Sequence, residues 1–219
     1  MTQRERQILE LIAQDPMISQ SELADKLGIA RSSAAVHISN LIKKGHIVGK
    51  GYVLRSGSYA VVVGGVTIDI GGRSDAPLVA RDSNPGKVRI SLGGVGRNIA
   101  HNMSLLGLDV RFLTAFGDDL YAQKVAASCG ELGIDISDCL QVPDGATPTY
   151  LFINDHDGDM ALAMSDMDIC EKITPEYLAT KLPVLNNAQL VVMDTNIPED
   201  SIRYLAENCI APIFADPVS

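Results

Sequence analysis

The 219-residue sequence contains no tryptophan, no long hydrophobic run and only four cysteines. No apolar run approaches the length of about 18 residues that a membrane-spanning helix needs, and the charged N-terminus is unlike a signal peptide. The cysteines lack C-x-x-C or other metal spacing, which is typical of reduced, structural thiols; they are Cys129, Cys139, Cys170 and Cys209. We therefore expect a cytoplasmic protein without a membrane partner.

Apolar residues are plentiful and charge is unevenly shared. Hydrophobic residues make up 46% of the chain, which is enough for one large aliphatic core or two smaller ones. Residues 1–56 hold eight Lys or Arg against five Asp or Glu, whereas the remainder holds ten against 22. A basic module joined to an acidic one predicts a different partner for each, and nucleic acid is the candidate for the first.

The basic module has the pattern of three short helices and a hairpin. Apolar spacing predicts helices over 3–13, from Ser19 or Ser21 to Gly28, and from about Ala30 to Lys44. In the third helix we expect five inward residues, Ala34, Ala35, Ile38, Leu41 and Ile42. Residues 47–54 contain two glycines and predict a short hairpin. The module, over 1–56, resembles the winged helix-turn-helix of AsnC- and MarR-like bacterial regulators, notably at residues 21–29.

In such a module the third helix enters the major groove of DNA, and flanking cations meet phosphates. Candidates for base contact are Arg31, Ser32, Ser33 and His37. Candidates for phosphate contact are Lys43, Lys44 and Lys50. The alternative is a winged helix used for dimerisation or protein contact, since the net charge of the module is modest.

The second module is organised around a glycine-rich stretch, Gly93-Gly94-Val95-Gly96-Arg97-Asn98-Ile99-Ala100, between a strand and a helix. Glycines let the backbone approach a ligand closely, and the helix start is expected to leave amide N–H groups free for it. Neither the dinucleotide fingerprint nor the phosphate loop matches, because Ile99 replaces a required glycine and no Gly-Lys-Ser/Thr follows.

The longer pattern resembles the signature of the ribokinase-like carbohydrate kinases, often called the PfkB family. The matching residues are Gly93, Gly94, Gly96, Asn98, Ala100, Gly107 and Gly117. The resemblance implies an α/β fold over 59–219, with a ribokinase-like parallel sheet and a small β lid. It also implies an activity, the transfer of the ATP γ-phosphoryl group to a hydroxyl of a sugar or nucleoside.

Several polar residues match the substrate contacts of that family. Asp69 is expected just past the end of the first strand, where it would accept hydrogen bonds from sugar hydroxyls, with Thr67 beside it. Gly93, Gly94 and Asn98 would form the facing corner, the Asn98 amide fixing a hydroxyl that Asp69 also holds. Asn196 matches a contact at the end of a later strand, where ribokinase itself has an acid.

A hairpin is predicted around Asp157-Gly158, between strands over 149–154 and 160–164. The resemblance implies that it joins the strand near residue 90 to form the lid, and that a homodimer paired through the lid is one expected partner. Residues 157–161 and 165–169 resemble the pseudouridine kinases, a nucleoside-directed branch. A calcium loop at Asp155 is excluded, because Met160 stands where the loop needs glycine.

The resemblance covers about the N-terminal half of such a kinase. The catalytic aspartate, the magnesium-linked Asn-x-x-Glu and the nucleotide-binding strands that it implies all lie beyond Ser219. We therefore expect a fragment that keeps the acceptor side, holds no metal, binds neither ATP nor Mg²⁺, and has no kinase activity.

Two functions remain open for the intact protein. One is a kinase whose winged module binds DNA. The other is a transcriptional regulator whose kinase-like domain only senses a sugar or nucleoside. Both place the ligand at Asp69 and Asn98.

Overall fold

The computed structural model describes residues 1–48 and 59–218. The first range forms three helices, α1 (Gln3–Gln14), α2 (Gln20–Leu27) and α3 (Arg31–Lys43). Thr2 and Ser19 cap α1 and α2, and each forms a capping box with a glutamate three residues later. Gly28 ends α2 in the left-handed region, at φ 62°. The three helices predicted from apolar spacing are therefore confirmed.

The three helices enclose a small aliphatic core. Its buried members are Ile8, Ile12, Ile18, Leu23, Ile38, Leu41 and Ile47. The expectation that Ile42 faces inward is wrong, because its side chain is 53% exposed on the outer side of α3. Most of the hairpin predicted over 47–54, including Lys50, lies outside the described residues.

The second range alternates strands and helices. Its elements are β1 (Tyr59–Val63), β2 (Thr67–Ser74), β3 (Gly86–Gly93), α4 (Val95–Leu105), β4 (Asp109–Leu113), β5 (Ala115–Phe116), α5 (Leu120–Glu131), β6 (Leu140–Gln141), β7 (Thr149–Asn154), β8 (Met160–Asp166), a 3₁₀ helix (Asp168–Lys172), α6 (Pro175–Asn187), β9 (Val191–Asp194), α7 (Glu199–Asn208) and β10 (Ile213–Asp216).

Four strands form a parallel sheet in the order β10-β9-β1-β4. Residues Val61, Val62 and Val63 of β1 are all fully buried, as the continuous apolar run predicts for a strand covered on both faces. Val61 and Val63 pack into one core with α6 and α7, while Val62 packs into another with α4 and α5. The carboxyl ends of β1 and β9 thus lie side by side.

A second four-stranded sheet forms the lid, in the order β3-β2-β7-β8. The hairpin of β7 and β8 is confirmed, and it joins the strand near residue 90, which is β3, in one lid sheet as expected. It pairs with β2, and β3 lies on the other edge of β2. The unpredicted strand β2 intervenes because the chain continues in extended form past the β1 turn, so Asp69 lies within a strand and not in a turn.

Alternation divides the lid sheet into two faces. Asp69 and Gly71 point to one face with their partners Tyr150 and Phe152, and Ile70 points to the other. That other face is apolar and partly open: beside half-buried isoleucines it carries five large hydrophobic side chains that are between 37% and 71% exposed, Val88, Ile90, Leu151, Leu162 and Met164.

Helix α6 extends to Asn187 with Pro183 inside it, so the proline does not end the helix. The extended segment from Asp109 to Phe116 is divided at Thr114 into β4 and β5. Within 1–48 and 59–218, no helix has the length and apolar character that crossing a membrane requires.

Candidate functional site

The junction of β3 and α4 packs directly against the turn between β1 and β2. Gly94 has φ 90°, in the region that favours glycine, and a Cβ atom there would lie 2.6 Å from the carbonyl oxygen of Gly65. A Cβ at Gly96 would lie 2.9 Å from Gly64. Residues 93–96, here called the glycine corner, are therefore glycine-rich because two backbone segments touch.

Asp69 lies in front of the glycine corner. A Cβ atom at Gly93 would lie 2.1 Å from Oδ2 of Asp69, so the carboxylate occupies the space over that glycine. The hydroxyl of Thr67 donates a hydrogen bond of 2.7 Å to Oδ1 of Asp69 and fixes its orientation. Thr67 is buried, whereas Asp69 is half-buried. The Asp69 carboxylate is therefore held by a buried hydroxyl group and stays partly exposed.

Asp194, at the end of β9, lies behind the glycine corner. Its side chain is fully buried and accepts hydrogen bonds from the amide nitrogens of Gly65 (2.9 Å), Gly96 (2.6 Å) and Asn196 (2.8 Å). Burial raises the pKa of this carboxyl group, and the three N–H donors act in the opposite direction. Asp194 thereby ties the β1–β2 turn, the start of α4 and the end of β9 together.

These contacts correct the expectation about the start of α4. The amide of Gly96 donates to Asp194, and that of Arg97 donates to the carbonyl oxygen of Gly65 at 3.1 Å. Both N–H groups are occupied by the protein and are not available to a ligand. The buried Arg97 side chain is satisfied by His101 at 3.3 Å and Ser128 at 2.8 Å, so His101 has a structural contact.

Asn98 and Asn196, which match substrate contacts of the family, lie on different elements and differ in their surroundings. Asn98 lies in the first turn of α4 with its side chain exposed. The side chain of Asn196 lies over Gly65, with Cβ 3.4 Å from the position of a Cβ there. The structure thus brings Thr67, Asp69, Gly93, Gly94 and Asn196 around one corner; their roles toward a ligand, and that of Asn98, stay predictions.

The helix that follows Gly117 begins at an acidic N-cap. Asp119 is the N-cap of α5 and accepts a 2.8 Å hydrogen bond from the amide of Ala122. It also accepts from the amide and the hydroxyl of Thr147, at 2.9 Å and 2.7 Å. Burial acts to raise its pKa, but these hydrogen bonds prevail and hold the pKa below its usual value. Asp119 therefore connects α5 to the segment that enters the lid.

Three ligand atoms suited to a metal come close together at the tip of the lid hairpin. They belong to Asp155, His156 and Asp157 and lie within 4.8 Å of one another. Oδ1 of Asp155, however, already accepts from three amides of the turn, those of Asp157, Gly158 and Asp159. These are the contacts of a residue that stabilises a turn. The absence of metal binding there stays a prediction.

In the winged module, α3 presents its predicted base-reading residues outward. Arg31, Ser32 and Ser33 are exposed in its first turn, and Lys43 is exposed at its end. His37 is half-buried, and its Nδ1 is buried without a hydrogen-bond partner among the described residues. These placements are compatible with a groove-facing helix but do not test it.

Lys44 has a structural contact that the sequence pattern did not reveal. Its Nζ lies 2.8 Å from Oε1 and 2.9 Å from Oε2 of Glu5, whose side chain is 2% exposed. Hydrogen bonds from Lys44 and from the amide of Thr2 lower the pKa of Glu5 to about 2. Lys44 therefore neutralises a buried acid, and its predicted role at DNA phosphates competes with this ion pair.

Sequence reasoning missed Asp194 as a site residue. The available signal was an acid that directly follows three apolar residues of a buried strand, at the carboxyl end where parallel sheets bind ligands. Such an acid must find buried donors. Which amides it meets depends on the packing of β9 against β1, which no local pattern gives.

Comparison with known families identifies both modules. Residues 58–212 match the model of the pfkB family carbohydrate kinases, and residues 1–48 match a winged helix-turn-helix DNA-binding family. The exact domain limits, 1–56 and 59–219, stay a prediction.

Known proteins resemble the chain over much of its length. An uncharacterized sugar kinase of Escherichia coli (strain K12), YeiI, is 40% identical over 222 residues, which cover 100% of this chain and 61% of the relative. Pseudouridine kinase from the same organism is 40% identical over 167 residues, covering 76% of this chain and 53% of the relative. This chain thus spans only about half to three fifths of their lengths.

A solved carbohydrate kinase from Agrobacterium tumefaciens superposes with a TM-score of 0.68 at 31% identity. The match covers 74% of this chain and 54% of that structure. Together with the parallel sheet and the lid, it confirms the ribokinase-like α/β fold expected from the glycine signature.

Proposed function

Because the chain belongs to the pfkB family of carbohydrate kinases and carries an N-terminal winged helix-turn-helix, we propose that residues 59–219 form the acceptor-binding side of a sugar or nucleoside kinase. The observation that carries this proposal is the Asp69 carboxylate, which extends from strand β2 of the lid over Gly93. The pseudouridine kinase relative favours a nucleoside among the acceptors.

The chemistry of Asp69 suits hydroxyl binding. A carboxylate has acceptor positions for two neighbouring hydroxyl groups, and Thr67 uses only part of that capacity at Oδ1. Hydrogen bonds to a charged acceptor contribute more than those between neutral groups. Because Gly93 has no side chain, the carboxylate itself can lie over this glycine and hold a ligand close to the glycine corner. A ribose diol would lie between Asp69 and the glycine corner.

The experiment is a calorimetric titration of the chain with D-ribose and with pseudouridine. We expect at least one of them to bind, and Asp69→Asn to weaken that binding by about tenfold or more, since at least one charged hydrogen bond is lost. The matched control is Asp109→Asn, at an exposed acid. Binding that is equally strong in Asp69→Asn would remove Asp69 from the site and overturn the proposal.

Kinases of this family use ATP and a divalent metal, and ATP would supply the transferred γ-phosphoryl group. Among the described residues we find no cluster suited to the metal except the hairpin turn at Asp155, which its own amides occupy. We propose that the 219 residues bind the acceptor without transferring phosphate. ATP-dependent phosphorylation of ribose or pseudouridine by the purified chain would contradict this.

We further propose that the winged module binds DNA, so that the intact protein is a DNA-associated kinase or a ligand-sensing regulator. The family match and the outward Arg31, Ser32 and Ser33 support this function. Genomic fragments should shift in gel retardation at low salt, and binding should weaken steeply as salt is added. Arg31→Gln should weaken it, whereas the exposed Arg203→Gln on α7 should not. A wild-type chain that shifts no fragment at low salt would exclude DNA binding.

The exposed apolar face of the lid supports one more partner, a second copy of this chain. A face with five large, exposed hydrophobic side chains is unusual for a monomer. Sedimentation should give a dimer that Leu162→Glu dissociates, while Met17→Glu, at an exposed methionine of the winged module, leaves it intact. A monomeric wild-type chain at high concentration would disprove this pairing.

A further inference from the structure

The lid face that carries Asp69 continues outward into a cleft of about 590 Å³. Strand pairing arranges this face in rows. The row of Asp69 includes Ser91 and Tyr150, and the next row places Arg89 and Phe152 on either side of Gly71. Ser91, Arg89, Gly71 and Phe152 all line the cleft. The cleft therefore begins beside Asp69 and leads away from the glycine corner.

An aromatic surface stands in the second row. A Cβ atom at Gly71 would lie 2.5 Å from Cζ of Phe152, so the end of the ring reaches over this glycine. The Tyr150 ring lies beside it, with centroids 5.7 Å apart and planes inclined by 34°. Both rings are half-buried and belong to the face of Asp69. Residues two apart on a strand are about 7 Å apart, which is comparable to the separation of a ribose diol from its base.

The cleft is also rich in cations. Three of the ten Lys and Arg residues in the acidic module line it: Arg73, Lys87 and Arg89, with Asp75 as the acid among the lining residues. Arg73 donates to the carbonyl oxygen of His156 at 2.9 Å. Within the described ranges, none of the three forms an ion pair. Exposed N–H donors next to an aromatic ring suit a planar ligand with carbonyl oxygens.

We propose that Phe152 and Arg89 form a nucleobase-binding platform that makes the site specific for a nucleoside over a free sugar. This inference rests on the proposed function at Asp69. The base stacks on Phe152 above Gly71, while the guanidinium of Arg89 donates to a carbonyl oxygen on its edge. A uracil-type base fits best, because its carbonyl oxygens accept from Arg89 and Lys87. Free ribose would fill only the row of Asp69.

The test compares uridine, pseudouridine and D-ribose in calorimetric titrations of the wild-type chain and its variants. We expect at least one nucleoside to bind about tenfold tighter than ribose, the amount that one stacked base contributes. Phe152→Leu and Arg89→Gln should each weaken nucleoside binding by about tenfold and leave any ribose binding unchanged. The exposed Arg203→Gln is the control, and circular dichroism verifies the fold of each variant.

The outcomes separate this inference from the proposed function. If Asp69→Asn weakens nucleoside binding but Phe152→Leu and Arg89→Gln do not, the platform is wrong and the acceptor site stands. Ribose bound as tightly as both nucleosides also overturns the platform. If the wild-type chain binds none of the three ligands, the proposed function fails and the platform fails with it.

Discussion

Two carboxylates flank the glycine corner and are used in opposite ways. Asp194 lies behind it, fully buried, with its oxygens occupied by three backbone amides. Asp69 lies in front, half-buried and oriented by the hydroxyl of Thr67, in a strand position beside Ser91, which lines the cleft. The same functional group thus stabilises the fold on one side and, in our proposal, binds a ligand on the other, and the difference lies in which donors the backbone supplies.

The largest effect should come from removing the carboxylate behind the corner. Asp194→Ala leaves three buried amides without an acceptor, and each such donor costs about 1–3 kcal/mol. We expect the free energy of unfolding to fall by about 3 kcal/mol or more, measured by urea denaturation followed by circular dichroism. Asp69→Ala, at the accessible carboxylate, should change it by less than about 1 kcal/mol. Equal losses in the two variants would remove the distinction between them.

The second test pushes the front carboxylate out of place without changing its chemistry. In Gly93→Ala the new methyl group would lie 2.1 Å from Oδ2 of Asp69, closer than any real contact. The carboxylate must move, and we expect binding of the ribosyl ligand to fall about as far as in Asp69→Asn, by tenfold or more. Titration with pseudouridine measures this.

Gly72→Ala is the matched control for that substitution. A Cβ atom at Gly72 has its nearest neighbour at 3.8 Å, an ordinary contact, so this variant should bind like the wild type. Unchanged binding in Gly93→Ala would mean that the position of Asp69 over that glycine is unimportant.

The two carboxylates also mark how far the sequence predicts the site. The spacing from Gly93 to Gly117 indicated the family and, through it, Asp69, because glycine positions and a strand-end acid are local features of the chain. The role of Asp194 was not predicted, because two of its amide donors lie 98 and 129 residues earlier in the chain. Strand β2 of the lid was not predicted for a similar reason: its pairing with β7 is long-range, and alternation alone does not choose between partners.

The winged module shows the same limit. Capping residues such as Ser19 and Gly28 predicted its helices closely, since they act within one turn. Lys44, by contrast, was assigned only to phosphate contact, because its partner Glu5 lies 39 residues earlier in the chain.

A smaller effect should follow from loosening the front carboxylate. Thr67→Val keeps the shape of a buried side chain but removes the hydroxyl that donates to Asp69. The loss of one hydrogen bond of this kind is worth about 1 kcal/mol, so we expect pseudouridine affinity to fall about fivefold. Thr180→Val, at an exposed threonine of α6, is the control. A variant that binds as tightly as the wild type would show that Asp69 needs no orienting donor.

The smallest expected effect concerns the pH dependence of stability. It should differ between Glu5, which is buried beside a cation, and Asp194, which is buried without one among the described residues. Within 1–48 and 59–218 no salt bridge involves Asp194. Burial raises its pKa above the usual 3.8, so the native state binds its proton more readily than the unfolded chain. The ionisation of Asp194 therefore lowers the free energy of unfolding as the pH rises from about 4 through the raised pKa. Glu5, paired with Lys44, has a pKa lowered from 4.5 to about 2. Its stabilisation is complete above pH 4.5 and is lost as pH falls toward 2.

Acidification from pH 5 to pH 3 should therefore weaken the winged module through Glu5, while the protonation of Asp194 acts in the stabilising direction on the other module. Thermal unfolding followed by the methyl resonances of Ile8 and Val62 reports the two cores separately, since these residues belong to different clusters. Glu5→Gln should flatten the pH dependence at Ile8 and leave that at Val62 unchanged. If Glu5→Gln leaves the slope at Ile8 as steep as in the wild type, the ion pair with Lys44 does not set the acid sensitivity of this module.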